Sequence, residues 1–543
     1  MKKSLLSIVL TIYASQLLGK QKIDLLVTGI TVYTVAEEGE ISNTIAIEKG
    51  RVIGIGTDIE LNKNYEARRN INAKGYIFPG FIDAHCHFSG YALDMYKCDL
   101  VGTASFVEVI EKVVAYDRTN KLSWIYARGW DQNDWTVKEF PDKSVLDSLF
   151  PDKPVILKRV DGHAILANQR ALDMAGITMQ SDFKGGSVEK KNGNLTGILI
   201  DNAMEPVENI VPPLPEQEAT SYMNKMEQEC YSLGLTGVVD CGVEGDIIRL
   251  LEKLYAGNKL TISNTTLLSQ SKPTLEQYMK NGPLTKNNLT VSAIKIYADG
   301  ALGSRGACLL KDYSDKHGHR GTMLSGLDEM SAIADDALKY KWQVCTHAIG
   351  DSANRTILKL YASKLKTKND LRWRVEHAQV VHPSDYHFFS DYSIIPSVQP
   401  THAISDMPWA EERLGTDRVN NAYAYKQLLN QNGWLPLGTD FPVEGINPIA
   451  TFYTAAIRKD KNGKPEEGFL KANGLTREEA LKGMTIWAAK SVGNENKKGS
   501  IEIGKDADIV ILDQDIMTVD ESKILSTRVL YTISKGEIKY QAK

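Results

Sequence analysis

The chain has 543 residues, carries 64 Lys and Arg against 68 Asp and Glu, and is 42% apolar, with a formal net charge of −4. Such values describe a soluble globular protein and exclude a disordered chain, a collagen and a basic nucleic-acid binder. The near balance of charge provides no field that would attract polyanions or anionic lipid. We therefore expect a small-molecule partner, no nucleic acid and no stable membrane insertion. The oligomeric state is open, and a homodimer is one arrangement to test.

The start of the chain has the pattern of a secretory signal peptide. Lys2 and Lys3 precede an apolar run over residues 5–14, which is too short to span a bilayer. We predict a signal peptide over residues 1–20 and a periplasmic or secreted protein, with an uncleaved apolar tail as the alternative. The 6 cysteines are too few for a disulfide scaffold in a chain of this length, so most are expected to be buried free thiols.

Both ends of the chain carry strand patterns rich in Val, Ile and Thr. These patterns lie at residues 24–34, 45–55, 507–512 and 529–538, and two of them turn at a Lys-Gly pair. Neither end alone is long enough to bury a β core. We therefore predict that residues 21–76 and 491–543 combine into one small sheet domain.

The middle of the chain alternates short apolar strands with helical patterns, which is typical of βα units. Strands are predicted at residues 81–87, 237–240, 293–299, 342–350, 373–377, 394–399 and 435–440. Each has an acid, a base or an amide at or near its carboxyl end, the face of a parallel barrel where active sites lie. The prediction is an α/β fold with a (β/α)8 TIM-like barrel over residues 77–490. An insertion of unknown role is predicted near the first barrel strand, at about 89–215.

Histidines recur at the ends of the predicted barrel strands. His85 and His87 share one face of the first strand, so one cation fits between their imidazoles. A single pair of histidines with this spacing is weak evidence for a metal site, since hydrogen-bonded strand histidines have the same spacing. His347, His377 and Asp440 end later strands, however, and together the five make a nitrogen and oxygen set suited to Zn²⁺ or a similar divalent ion.

Lys295 shares strand parity with Tyr297 and Asp299 and is expected to face the same interior. A protonated lysine would be repelled by two divalent ions. A neutral amine instead reacts with CO₂ to form a carbamate, which carries a negative charge and two bridging oxygens. The alternative is an unmodified lysine that binds substrate.

Eight blocks of the sequence resemble the amidohydrolase superfamily, and within it the amidohydrolase family 3 branch of predicted metal-dependent hydrolases. They are GFIDAHCH at 80–87, RVDGH at 159–163, KIYADGALGSR at 295–305, HAIGD at 347–351, EH at 376–377, QPTH at 399–402, GTD at 438–440 and GSIEIGKDAD at 499–508. The resemblance implies a distorted barrel, a composite β-sandwich and hydrolysis of carbon–nitrogen bonds other than ordinary peptide bonds. The implied substrate is a small amide-type molecule.

The resemblance also implies roles for single residues. It assigns His85, His87 and Asp440 to one divalent metal, His347 and His377 to a second, and a carbamate of Lys295 to the bridge between them. Zn²⁺ is the expected metal, and Asp440 is the expected catalytic proton shuttle. His163, Arg305 and His402 lie in family-like blocks and are predicted to hold a polar substrate group. Local turn or loop hydrogen bonding is the alternative for these three.

Three rival interpretations stay open at this point. One is a deaminase-type relative with a single metal, in which Lys295 is not a ligand. Another is a mixed thiolate site, although no cysteine falls at a proposed ligand position. The third is a catalytically silent exported protein with a binding or regulatory role.

Overall fold

The computed structural model describes residues 20–36 and 42–543. The predicted signal peptide therefore lies outside the described residues, apart from its last position. Within them, the strands form three sheets: a barrel sheet, a sheet built from both chain ends and a sheet within the insertion. No helix in this part of the chain has the length and apolar character needed to cross a bilayer. All six cysteines are free thiols, and only Cys308 is partly exposed.

The barrel sheet consists of parallel neighbours in sequence order. Its strands are Phe81–Cys86, Leu235–Val243, Ser263–Ser269, Leu289–Tyr297, Gln343–Ala348, Arg374–His377 and Ile395–Ser397. A short strand at Leu284–Lys286 pairs antiparallel with the fourth of these. The segment 435–440 lies between the last strand and the first, since Leu437 bridges to Val398 and the Asp440 N–H donates to the His85 carbonyl at 2.8 Å. The barrel is thus nearly closed, and the predicted α/β fold with a parallel barrel is confirmed.

Helices cover the outside of the barrel. They are Phe88–Asp94, Glu216–Ser232, Gly245–Ala256, Lys272–Tyr278, Leu327–Tyr340, Asp351–Leu365, His387–Tyr392, His402–Ser405, Met407–Leu414, Thr416–Val419, Tyr425–Asn432, Pro448–Ile457, Arg477–Gly483 and Ile486–Ser491. Leu327–Tyr340 shows the reason for their placement, because Met330, Ile333, Ala334 and Ala337 form one buried face at helical spacing.

The sheet at the chain ends has eight strands. They are Gln21–Val32, Ser42–Glu48, Arg51–Gly56, Tyr65–Asn72, Tyr76–Pro79, Ile509–Leu512, Val529–Ser534 and Glu537–Gln541, with the short helices Asp58–Asn64 and Glu521–Ile524 beside them. The two chain ends join where Phe78 pairs with Val510. Hairpins turn at Lys49-Gly50 and Lys535-Gly536, as predicted. Both ends thus share one sheet, and its packing as a two-layer sandwich stays a prediction.

The predicted insertion contains a six-stranded sheet with apolar clusters on both faces. Its strands are Cys98–Asp99, Ile125–Trp130, Val155–Arg159, Ala164–Ala167, Gly186–Lys191 and Asn194–Asp201, and its helices are Phe106–Asn120, Ser144–Leu149, Gln169–Met174 and Glu205–Glu208. The alternation along one strand explains the two faces, since Leu157 is buried in one cluster and Ile156 in the other. The end of this sheet that carries His163 meets the mouth of the barrel.

Candidate metal centre

His85 is fixed in one tautomer by a buried acid from the sixth barrel strand. Its Nδ1 lies 2.6 Å from Glu376 Oε2. Burial favours a raised pKa for Glu376, but Arg374, with Nε 2.5 Å from the other carboxylate oxygen, and His85 hold that pKa well below its usual range. Burial, followed by the charge of Lys295, lowers the pKa of His85 to about 4. His85 is therefore neutral, with its proton on Nδ1 and the lone pair of Nε2 facing the barrel interior.

His87 is oriented in the same way by a backbone carbonyl. Its Nδ1 donates to the Cys241 carbonyl at 2.9 Å, so its Nε2 faces Asp440 Oδ1 at 3.2 Å. His85 Nε2 lies 3.5 Å from the same oxygen. Asp440 Oδ1 is buried and accepts no hydrogen bond from the described residues. Two imidazole nitrogens and one carboxylate oxygen thus converge on one point, an arrangement suited to a cation.

His377 and His347 lie on the other side of this point. The His377 ring centroid is 5.0 Å from that of His85 and 4.5 Å from that of His347. Burial lowers the pKa of both His347 and His377 well below the usual range, so both are neutral. Ligand atoms of His85, His377 and Asp440 all lie within 4.8 Å of one another. His87 and His347 are both outside this tightest group, and His347 Nε2 lies 3.5 Å from the Gly300 carbonyl.

Lys295 reaches the same centre from the fourth strand and is only 1% exposed. Its Nζ donates to His85 Nε2 at 3.2 Å and lies 4.8 Å from the centre of the Tyr297 ring. Burial favours a lowered pKa, but nearby Tyr297, Cys241 and Glu376 outweigh it, and the pKa of Lys295 is raised. The Lys295 side chain is therefore in direct contact with the proposed ligand His85.

Asp440 is held by a second buried network. Its other oxygen, Oδ2, lies 3.2 Å from His402 Nε2, and His402 Nδ1 lies 3.0 Å from Glu444 Oε1. Burial favours a lowered pKa for His402, but its bonds to the two carboxylates raise that pKa well above the usual range. Burial likewise favours a raised pKa for Asp440, yet His85 and His402 hold that pKa well below its usual range. His402 is thus a buried cation between two carboxylates. Glu444, the second of these carboxylates, was not among the site residues predicted from the sequence.

Two residues of the centre have backbone angles that side chains rarely adopt. The φ angle is 64° at Asp440 and 70° at His377. A positive φ in a residue other than glycine costs conformational energy and is enriched at active sites. Each is the last residue of a barrel strand or strand-like segment, and both side chains line the cavity at the barrel mouth.

Of the three residues predicted to hold a polar substrate group, His163 and His402 line the cavity and Arg305 does not. His163 lines the same cavity as the ligands, and its Nδ1 lies 2.7 Å from Asp201 Oδ1. Arg305 is not brought into the site. Its guanidinium pairs with Asp315 at 2.9 Å, away from the described residues that line the cavity. The predicted contact of Arg305 with substrate therefore has no support in the geometry.

A cavity of about 1470 Å³ opens above the centre. Its barrel side includes the predicted ligands His87, Lys295, His347, His377 and Asp440, and its insertion side includes Arg128, Lys158 and His163. The cavity exceeds the range of about 300–1,000 Å³ that is common for small-molecule sites. A small organic substrate therefore has room to reach the buried acceptor cluster.

Known proteins resemble this chain over most of its length. The model of a family described as "Amidohydrolase family" matches residues 69–540. The chain belongs to the amidohydrolase family. A Bacillus subtilis (strain 168) protein named "Putative amidohydrolase YtcJ" is 30% identical to it, over 94% of this chain and 98% of that protein. An Arthrobacter pascens protein named "N-substituted formamide deformylase" is 25% identical, over 95% of this chain and 98% of that protein.

A solved structure shares the fold of this amidohydrolase. It is the crystal structure of an uncharacterized metal-dependent hydrolase from Pyrococcus horikoshii OT3, with a TM-score of 0.75 and 28% identity. The match covers 92% of this chain and 99% of that one. The family resemblance found in the sequence motifs is therefore confirmed, and so is the assignment to the metal-dependent hydrolases.

Proposed function

We propose that this amidohydrolase hydrolyses a carbon–nitrogen bond, other than a peptide bond, in a small amide-type substrate, and that it uses two divalent metal ions. One observation carries the proposal. His85 Nε2 and His87 Nε2 lie 3.5 Å and 3.2 Å from the same buried oxygen of Asp440, at the floor of a cavity large enough for such a substrate. These donors fit a divalent cation of the zinc type.

The ligand residues divide between two positions. His85, His87 and Asp440 would hold the first ion, and His347 and His377, both neutral and buried, would hold the second. His377 Nδ1 supports this assignment, because it is buried and has no hydrogen-bond partner among the described residues. Bound at this centre, the divalent ions would polarise the substrate carbonyl and bring the pKa of a water from about 15.7 toward about 7.

Asp440 is the residue placed to move the proton. Its Oδ2 is hydrogen-bonded to His402, while its Oδ1 faces the ligand cluster. In the proposed mechanism Asp440 takes the proton of the attacking water and returns it to the leaving nitrogen. His402, held in turn by Glu444, keeps Asp440 in one orientation. His163 is also proposed to hold a polar group of the substrate, since it lines the cavity; His402 lines the cavity too, but both of its ring nitrogens are bonded to carboxylates.

Lys295 is proposed to carry the CO₂-derived carbamate in the metal-loaded protein. Its Nζ lies 3.2 Å from His85 Nε2, so a carbamate there would lie beside the proposed ligands, and cations bound between His85 and His377 would favour this anionic form. We also propose that the protein acts outside the cytosol, after removal of the segment containing Lys2 and Lys3.

A second candidate is a deaminase-like hydrolase with one metal. The observation that favours it is the composition of the tightest ligand group, which contains His85, His377 and Asp440 but neither His87 nor His347. In that arrangement His347 and the unmodified Lys295 would contact the substrate instead. The two candidates differ in metal stoichiometry, and this difference is measurable without knowledge of the substrate.

The test is elemental analysis combined with assays of a substrate panel. Protein purified without chelator is expected to contain close to two divalent ions per chain and to hydrolyse members of a set of N-acyl, cyclic-amide and formamide compounds. His377→Ala is expected to lose metal and activity, whereas the matched control His387→Ala, at an exposed helix position, is expected to lose neither. Full activity with one ion would favour the deaminase-like candidate. Bound metal without any turnover would favour a binding or regulatory protein.

A further inference from the structure

The insertion delivers an Asp–His pair to the edge of the metal centre. His163 lies in the hairpin between strands Val155–Arg159 and Ala164–Ala167, and its ring centroid is 5.3 Å from that of His347. Its Nδ1 lies 2.7 Å from Asp201 Oδ1. The Asp201 N–H also donates to the His163 carbonyl at 3.0 Å, so backbone and side-chain bonds both join the two residues.

Asp201 occupies a position that the fold accommodates specifically. Its φ is 52° and its ψ is −128°, a combination that residues other than glycine rarely adopt. Its carboxylate lies against two glycines of the loop that follows the barrel strand of Lys295. A Cβ added at Gly300 or at Gly306 would come within 2.7 Å of Asp201 Oδ2. A strained backbone beside two glycines that make room for one carboxylate indicates a position under functional constraint.

The chemistry of the pair fixes which nitrogen of His163 is available. A carboxylate only accepts hydrogen bonds, so the Asp201 contact requires the proton on His163 Nδ1. The ring nitrogen left for another partner is Nε2. Since His163 lines the cavity beside His347, a substrate bound at the metal centre lies within reach of this nitrogen.

We propose that Asp201 is a positioning residue that fixes the tautomer and orientation of His163, so that His163 contacts the substrate through Nε2. The proposal rests on the hydrolase function proposed above. It gives the insertion a direct part in the site and explains the Asp-Gly-His motif at 161–163. The alternative is that the pair only attaches the insertion to the barrel, and that Asp201 could be replaced by any residue that keeps the attachment.

The first test observes the tautomer in the resting protein. In protein with ¹⁵N-labelled histidine, the His163 signals are identified by their loss in His163→Gln. The wild type is expected to show His163 protonated at Nδ1. In Asp201→Asn the amide also offers a donor, so the proton is expected to shift toward Nε2, as when a histidine loses its acidic partner. An unchanged Nδ1 signal in Asp201→Asn would overturn the positioning role, whether or not any amide is hydrolysed.

The second test measures coupling in catalysis, on whichever panel compound the wild type hydrolyses best. Asp201→Asn and His163→Gln are each expected to lower kcat/KM by about 10–100-fold, the loss typical when an orienting partner of a site histidine is removed. The double variant is expected to lose no more than either single one, because both changes remove the same interaction. Metal content should equal that of the wild type. Asp182→Asn, an exposed acid of the insertion, is the matched control.

A third variant disturbs the pair without altering either member. Gly300→Ala is expected to displace the Asp201 carboxylate and to reproduce the loss of kcat/KM seen in Asp201→Asn, with metal retained. Gly326→Ala is the control, since the nearest atom to its added Cβ is Lys184 Nζ at 3.6 Å. A hydrolase in which Asp201→Asn and Gly300→Ala keep wild-type kcat/KM would overturn this inference and leave the proposed function standing. Wild-type protein with no hydrolysis of any panel compound would overturn the function instead.

Discussion

His85 donates its Nδ1–H to Glu376 across 2.6 Å, and neither side chain has any exposed surface. This bond leaves Nε2 of His85 unprotonated toward the barrel interior, where a metal ligand needs its lone pair. Glu376 precedes His377 directly in the chain, so the sixth strand supplies both a proposed ligand and the residue that orients another. The orientation of His85 is therefore built into the barrel before any metal binds.

Glu376→Gln is expected to weaken metal binding by about 10–100-fold, because an amide neither carries the charge nor fixes the proton on Nδ1 of His85. Competition with a chromogenic chelator measures this change. Glu329→Gln, at an exposed position of the helix Leu327–Tyr340, is the control. Unchanged metal affinity in Glu376→Gln would show that His85 needs no such partner.

The strand-end positions of the proposed ligands were predictable because strand parity and strand ends are local properties of the sequence. The acids that orient other histidines of the site were not, since each pair joins residues far apart in the chain. His163 and Asp201 are 38 positions apart, and His402 and Glu444 are 42 apart. Only the fold brings such partners together. Arg305 shows the same limit, because its loop obeys no periodicity and its side chain turns to Asp315.

One barrel strand also escaped prediction. Ser263–Ser269 begins with the polar run Ser-Asn-Thr-Thr, which lacks the apolar signal of a buried parallel strand. In the structure Asn264, Thr265 and Thr266 are buried, and Thr266 donates to Asn264 at 3.0 Å. A hydrogen bond between buried polar side chains therefore takes the place of apolar packing in this part of the strand. The sequence pattern alone does not show which polar groups find such partners.

Lys295→Ala is expected to lose activity and part of the bound metal, because the proposed carbamate supplies two bridging oxygens. A short carboxylic acid such as formate should restore part of the activity. Native mass spectrometry of metal-loaded protein should show one added CO₂ that is lost on acidification, and Lys286→Ala, at an exposed strand position, should behave as the wild type. A bare amine in fully metallated, active protein would contradict the carbamate.

Export is tested by cell fractionation with N-terminal sequencing. We expect the mature protein outside the cytosol, with a new N-terminus near the end of the predicted signal at residue 20. Deletion of residues 5–14 should retain the protein in the cytosol without loss of the folded barrel. A cytosolic protein that begins at Met1 would identify the segment as an uncleaved apolar tail.

Asp406→Asn is expected to stabilise the metal-free protein at high pH. Burial raises the pKa of Asp406 to about 7, although Tyr423 donates to it at 2.7 Å. The unfolded chain releases this proton near pH 4, so the stability of the wild type falls as the pH rises from about 4 to about 7. Asparagine resembles the protonated acid and avoids this loss. The melting temperature of the variant should exceed that of the wild type at pH 8, and the difference should shrink toward pH 4; a difference independent of pH would contradict the assignment.

Asp440→Asn tests whether the carboxylate moves a proton as well as binding metal. Asparagine keeps an oxygen toward His85 and His87 but cannot take a proton from water. If one proton-transfer step contributes a factor on the order of 10²–10⁴, kcat should fall by at least that much while KM and most of the metal are retained. The limb of the pH–rate profile that belongs to the carboxylate should also disappear, because the titrating group has been removed.

The control for this variant separates the two roles of Asp440. If its only role is to bind metal, excess Zn²⁺ should restore full activity to Asp440→Asn. If it moves the proton, activity should stay low at full metal occupancy. An acidic limb that persists unchanged in the variant would assign the proton to another group. His402 is then the first to test, because its Nε2 lies 3.2 Å from Asp440 Oδ2 and its Nδ1 lies 3.0 Å from Glu444.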